Sequence, residues 1–427
     1  MTETIATRCC IAGGGPAGMM LGFLLARAGI DVVVLEKHKD FFRDFRGDTI
    51  HPSTLELMHE LGLLDEFLKV PHQQVSRLTI QVGAERIPMV DFRHLPTRCK
   101  FIALMPQWDF LDFLAKQGRR YPSFHLRMEA EATDLIFNGD RVTGLRAKTP
   151  AGDIEIQAAL TVGCDGRHST IRERAGFTVD DVGAPIDVLW FRVSRKAGDT
   201  EETGGHIEAG KMLVALNRGD YWQCAYVIPK GGIETVKREG LAAFRDRVSE
   251  IEPFLKDRVD ELNSFDDIKL LTVAIDRLRQ WHRPGLICIG DAAHAMSPVG
   301  GVGVNLAVQD AVATANILAE PLRAGAVTAA HLPPCSIAAP FRCRSSSGCR
   351  RSCRTSCCRR RSRATSGRSR RSRCAWSNGS RRSAAFRRGS SASASGPSTS
   401  GRPSKCRACT PLRGHRDRVA ECPLSGV

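Results

Sequence analysis

Gly13-x-Gly15-x-x-Gly18, with Pro16 and Ala17 inside it, follows an apolar run and opens a helical one. Each glycine has a distinct task in such a turn. Gly13 permits the tight bend, Gly15 lets a pyrophosphate approach the backbone, and Gly18 lets the helix lie close to the strand. Unpaired N–H groups at the helix start would meet the phosphate charge. Glu36 ends the next apolar run, 18 positions after Gly18, where a carboxylate can grip both ribose hydroxyls. The chemistry implied is the binding of a dinucleotide, without saying which.

A second constellation narrows it. Leu286-Ile-Cys-Ile-Gly290-Asp291-Ala292-Ala293-His294 reads as a buried strand ending in Gly-Asp, followed by Pro298, Gly301, Gly303 and Asn305 at the head of a long helix. An aspartate there can hold a ribityl chain. The helix start would face the pyrimidine edge of a flavin and stabilise negative charge on the reduced ring. A third motif lies between them: Val162-Gly163-Cys164-Asp165-Gly166-Arg167-His168-Ser169-Thr170-Ile171-Arg172, again a strand, an Asp-Gly turn and a helix. Together the three point to FAD.

In this order and spacing the motifs resemble those of the single-component FAD-dependent aromatic hydroxylases of the para-hydroxybenzoate hydroxylase type, over roughly residues 5–330. Asp291 through Asn305 matches every named position of D-A-A-H-x-x-x-P-x-x-G-x-G-x-N. Asp165, Gly166, Ser169 and Arg172 match the Asp-Gly motif, which the resemblance links to the FAD pyrophosphate and the reduced pyridine nucleotide. It also places Arg46 and Gln107 near the FAD diphosphate and ribose. The activity implied is hydroxylation of an aromatic or similar electron-rich small molecule. NADH or NADPH would reduce FAD, molecular oxygen would add to give a flavin C4a-hydroperoxide, and one oxygen atom would reach the substrate. A reductase or halogenase-like oxidoreductase on the same scaffold stays open, although the halogenase signature Trp-x-Trp-x-Ile-Pro is absent. No catalytic acid or base stands out. His294 reads as a packing and hydrogen-bonding residue, while Tyr221, Trp222 and Arg192 could line a substrate pocket or simply pack strands.

The elements needed to position these residues are visible in the hydrophobic pattern. Strands are expected at 7–12, 31–35 and 286–290, and helices at 19–28, 53–63, 108–116 and 304–322. Asn138-Gly139-Asp140 marks a hairpin between 134–137 and 142–147, continued as a meander by 154–158. Strands at 188–194, 212–216 and 221–228 belong to a second sheet. The expected fold is α/β: a Rossmann-type FAD-binding domain (1–70, 101–179 and 276–331) interrupted by a mixed-sheet substrate domain (71–100 and 180–275).

The net charge of +16 is concentrated in one segment. Residues 341–427 carry 22 Arg, 1 Lys and 2 acidic residues, a net +21, while residues 1–340 carry −5. The same 87 residues hold 9 of the 16 cysteines. From about Leu332 neither helical nor strand periodicity survives, so 332–427 is expected to be a disordered tail. A frameshift in a GC-rich gene would yield such a run of Arg, Ser and Cys and would leave activity in doubt. Cys349, Cys353, Cys357 and Cys358 lack paired C-x-x-C spacing and have no nearby histidine, so no metal site is expected, and the arginines imply no specific nucleic-acid partner. No apolar stretch reaches membrane-spanning length. With no basic-then-apolar leader at the N-terminus, the protein is expected to be cytoplasmic. The buried strand cysteines Cys9, Cys10, Cys164 and Cys288 are expected to remain thiols.

Overall fold

The computed structural model describes residues 3–42, 49–200 and 202–332. Arg46 lies outside the described residues, as do the expectations of a disordered or frameshifted tail.

The fold is mixed α/β, with two large sheets. In the first, strands Phe124–Arg127, Val32–Leu35, Glu3–Ala12, Gly152–Gly163 and Leu286–Cys288 lie side by side in that order, all parallel. All four residues of Val32–Leu35 are buried, as expected where helices cover both faces of a parallel sheet. The helix Pro16–Arg27 buries ten of its residues, between this sheet and the helices Gln107–Gly118 and Gly303–Arg323. It lies close because Gly22 leaves room: a β-carbon there would stand 2.6 Å from Val34 Cγ2. The long helix Gly303–Arg323 joins the same core through Val304, Ala307, Val308, Ala311, Ala315 and Leu318.

Gly152–Gly163 does two jobs that the sequence reading had divided. Its first half pairs antiparallel with Arg141–Thr149, and nearly its whole length pairs parallel with Glu3–Ala12, from Ile154 opposite Glu3 to Gly163 opposite Ala12. Nothing between Ile154 and Gly163 breaks a strand, so the meander and the strand that ends in Asp165-Gly166 are one element. Arg141–Thr149 holds one edge as far as Gln157, and Leu286–Cys288 takes over that edge from Thr161.

The second sheet has the order Lys269–Leu271, Ile186–Ser194, Tyr221–Pro229, Lys211–Asn217, Gly204–Glu208, Arg77–Val82, Glu85–Asp91. Its pairs are antiparallel except for Gly204–Glu208 with Arg77–Val82. Two helices absent from the sequence expectation, Ile233–Glu239 and Leu241–Ile251, cover one face. Val236, Phe244, Val248 and Ile251 pack there on Leu189, Phe191, Val193, Leu213 and Tyr226. Gly240, at φ +90°, divides this helical stretch and shortens each period. Alternation along the strands sends Val188, Trp190, Val214 and Ala225 to the opposite face. Trp222 belongs to the helix-covered core: it is fully buried, packs 5.3 Å from Phe254 and donates from Nε1 to Asp199. Of the three pocket candidates, only Tyr221 and Arg192 share strand parity with that opposite face.

Candidate functional site: three turns at the carboxyl ends of one sheet

Register places the motifs. Ala12 lies opposite both Leu35 and Gly163, and Gly163 lies opposite Cys288. The residues that follow these strand ends therefore emerge at one edge: Gly13, Glu36, Cys164-Asp165 and Gly290-Asp291. In open α/β sheets this edge is where ligands bind.

The three glycines of the first turn have different surroundings. Gly13 takes φ +106°, and a β-carbon on it would stand 2.4 Å from the Cys164 carbonyl oxygen. A β-carbon on Gly18 would stand 2.0 Å from the Gly13 carbonyl oxygen. Around Gly15, apart from its own chain neighbours, no atom of the described residues lies within 4 Å of that position. Two glycines thus allow backbone to pack on backbone, and the third faces open space as the cap of a helix whose first N–H groups lack intrahelical partners. Pro16 begins that helix, where its missing N–H costs nothing. Glu36 is aimed at the same turn: its carboxylate accepts from Gly14 N–H at 3.2 Å and from His38 N–H at 3.1 Å. A carboxylate retains lone pairs for hydroxyl donors while accepting these bonds.

Asp165 holds its own turn together. It accepts from Ser169 Oγ at 2.5 Å and from Ile171 N–H at 3.0 Å, while Ser169 caps the short helix Thr170–Arg174. Burial pushes the Asp165 carboxyl above its ordinary range, against the opposing pull of these bonds. Arg172 ties this turn to the next, reaching the Ala292 carbonyl, the Arg167 carbonyl and, at 3.6 Å, Asp276. Asp276 in turn accepts from Ala295 N–H at 3.0 Å.

Gly290 rests on the first helix: it takes φ +61°, and a β-carbon on it would stand 3.0 Å from Ala17 Cβ. Asp291 follows at the partly exposed edge. Pro298 and Gly301 close a turn, Gly301 N–H donating to the Pro298 carbonyl at 3.0 Å. Gly301, at φ +58°, lies against Thr49, whose hydroxyl donates to the Gly301 carbonyl at 2.6 Å. Gly303 opens the long helix, and like Gly15 it has no atom of a described residue beyond its own chain neighbours and helix backbone within 4 Å of a would-be β-carbon. Among the described residues the two helix starts are open to approach, one beside each half of the motif set, an arrangement that could receive an extended dinucleotide.

Asn305 has a different immediate task from the expected one. Its Oδ1 accepts from His51 N–H and Thr54 Oγ1, both at 2.8 Å, and its Nδ2 donates to the Thr49 carbonyl at 2.9 Å and the Gly301 carbonyl at 3.2 Å. The side chain pins the helix head to segment 49–54. Gln107 is the first residue of helix Gln107–Gly118, partly exposed, and among the described residues its side chain makes no hydrogen bond to protein.

His294 is buried in a packing role. It stacks on Trp281 at 4.9 Å, and its Nε2 lies 2.6 Å from Asp310 Oδ2. Asp310 escaped the sequence reading, although an acidic residue at a core-facing position of an Ala-rich helix is the signal that could have marked it. Cys9, Cys10, Cys164 and Cys288 are buried free thiols, and burial pushes each thiol up.

Among the described residues no helix is long and apolar enough to cross a membrane. Residues 6–332 match the family described as FAD binding domain. The chain is 32% identical to 6-methylpretetramide 4-monooxygenase of Streptomyces rimosus, over 74% of this chain and 76% of that protein. It is 24% identical to para-nitrophenol 4-monooxygenase of Pseudomonas sp. strain WBC-3 over 74% of this chain and 79% of that protein. With rifampicin monooxygenase of Streptomyces venezuelae the match is 28% and spans 61% of that protein's length. Among solved structures, PqsL of Pseudomonas aeruginosa in complex with 2-aminobenzoylacetate shares the fold at TM-score 0.68 and 20% identity, covering 78% of this chain and 91% of that one. The chain belongs to the FAD-dependent aromatic-hydroxylase family of flavoprotein monooxygenases, and FAD is its cofactor.

Proposed function

We propose that the protein hydroxylates an aromatic small molecule with molecular oxygen, using NADH or NADPH as reductant, and that fused-ring phenols are its substrate class. The observation that supports this best is the convergence of three turns: Gly13 packs on Cys164-Asp165, and Ala17 packs on Gly290. Bound FAD would supply the electron transfer and oxygen activation, which side chains lack.

The chain's own residues supply position and charge. The helix start at Gly15–Ala17 holds the diphosphate, and Glu36 holds the adjoining ribose. Asp291 would take the ribityl hydroxyls, and Asp165-Gly166 and Gln107 would help hold the diphosphate. The open start of Gly303–Arg323 offers its N–H groups to the carbonyl edge of the ring system, where negative charge develops on reduction. Substrate would lie between that ring and the face of the second sheet opposite its helices, where the partly exposed Trp190 and Val214 border the buried Val188 and Ala225 and give an apolar edge for a flat ligand. The relation to a monooxygenase named for 6-methylpretetramide favours fused rings over single ones. A cytoplasmic setting, where reduced nicotinamide is supplied, belongs to the same reading.

The test uses the full chain loaded with FAD, a panel of mono- and polycyclic phenols, NADH or NADPH, and isotopically labelled oxygen gas. The expected result is one labelled oxygen atom per hydroxylated product, with a fused-ring phenol as the best substrate. Nicotinamide oxidation with every phenol unlabelled would make the protein a reductase.

A further inference from the structure

The Gly290-Asp291 turn is gripped from a residue twenty positions downstream. Gly290 N–H donates to Asp310 Oδ2 at 2.9 Å, and His294 Nε2 lies 2.6 Å from the same oxygen, donating to it in the tautomer that carries its proton on Nε2. The Gly290 carbonyl accepts from Ala293 N–H and His294 N–H, both at 2.9 Å. Both sides of this residue are therefore fixed, at a φ of +61° that glycine reaches without the clash a side chain would bring but that nothing local would select. Asp310 and His294 are 4% and 2% exposed, so water does not compete for these bonds. Trp281 closes the far side of the imidazole.

Asp310 lies on the helix whose start is offered to the flavin, about two turns from Gly303. One rigid rod thus presents N–H groups at its head and, from its flank, sets the backbone that carries Asp291. Asn305 pins the head of the rod, and Asp310 pins the turn to the rod. Moving either pin changes the distance between the two groups that FAD must meet at once, and cofactor affinity is steep in such distances.

We propose that Asp310 is a positioning residue for FAD, holding Asp291 in its binding geometry through the Gly290 N–H and the His294 ring. The proposal rests on Asp291 holding the cofactor. Since both bonds end on one oxygen, Asp310→Asn can keep both with its amide oxygen and lose only the charge. Asp310→Ala loses both bonds, and Asp310→Glu keeps the charge but moves the acceptor by one methylene.

The experiment is a double-mutant cycle on the full chain, reading the FAD dissociation constant by flavin fluorescence, the visible circular dichroism of the bound flavin, and the thermal midpoint of the apoprotein. Asp310→Ala is expected to weaken FAD binding by on the order of tenfold to a hundredfold and to change the dichroism, the effect of losing charge-assisted bonds at a turn that must be preset. Asp310→Asn should restore affinity to within about threefold of wild type, the range left when hydrogen bonds persist without charge. Combined with Asp291→Ala, Asp310→Ala should add little, because both act through one contact. If the losses add in full, or if the apoprotein midpoint falls while affinity and dichroism stay at wild-type values, the positioning role is wrong. If Asp291→Ala alone leaves affinity unchanged, the Asp291 reading fails instead, and the Asp310→Ala value then stands by itself. Should Asp310→Ala not fold, Asp310→Glu replaces it in the cycle with the same expectations.

Discussion

Adding one methyl group at Gly13 or at Gly15 should have opposite consequences. At Gly13 the group would stand 2.4 Å from the Cys164 carbonyl oxygen, in a backbone region that side chains avoid. Gly13→Ala is expected to destabilise the apoprotein by about 3 kcal/mol or more, through strain and overlap together. At Gly15 the group would meet no other described residue within 4 Å, at ordinary backbone angles. Gly15→Ala should leave apoprotein stability within about 0.5 kcal/mol of wild type. It should still raise the FAD dissociation constant at least about tenfold, by occupying the approach of the diphosphate. Urea unfolding of the apoproteins and flavin titration check both; a Gly15→Ala protein with wild-type affinity would show that the diphosphate does not pass there. Glycines of the same motif are thus separable into one that holds the fold and one that admits the ligand.

The helices over the second sheet carry a pH dependence of their own. Glu252 ends Leu241–Ile251, mostly buried, with its carboxylate 3.9 Å from His206 Nδ1. Burial raises its pKa from 4.5 to about 7. A carboxyl raised on folding stabilises the fold fully below 4.5, and that contribution is lost as pH rises through about 7. The loss should approach about 3 kcal/mol by pH 8. Urea unfolding at steps between pH 4.5 and pH 8 should show a decline for wild type that Glu252→Gln lacks; parallel curves would rule the group out. These two helices were illegible in the sequence because Gly240 interrupts a weak apolar period of Val236, Phe244, Val248 and Ile251, which only the sheet beneath completes. The motif-bearing strands were legible for the opposite reason: Gly13, Gly163 and Gly290 answer to requirements of the turn itself, which local spacing records. Asn305 and Asp310 lay between these cases. Their types were readable, but the partners that explain them, Thr49, His51 and Thr54 for one and Gly290 for the other, are distant in sequence. The same blindness placed Trp222 among pocket candidates, since strand parity alone does not say which face a helix will cover.

At the scale of the whole molecule, the first core runs to Leu332, which is fully buried, and the family match ends at the same residue. A chain stopped after Leu332 is therefore expected to bind FAD as tightly as the full chain, within about twofold, since no residue argued to hold the cofactor is removed. Equilibrium titration of both forms decides it, and a loss of tenfold or more would give the remaining residues a part in the site. The parallel sheet has a further consequence, which concerns synthesis. Its first and last motif turns, at Gly13 and Gly290, are separated by 277 positions, and the second sheet is made between them. A ribosome must deliver nearly the whole described chain before Leu286–Cys288 can join Gly152–Gly163. Until then the edge of that strand beyond Thr161 is an unpaired row of peptide groups, open to a neighbouring nascent chain. Slowed translation through codons 164–286 should therefore raise the aggregated fraction more than the same delay placed after codon 332, and flavin added during synthesis should find no complete seat until the last strand is in place.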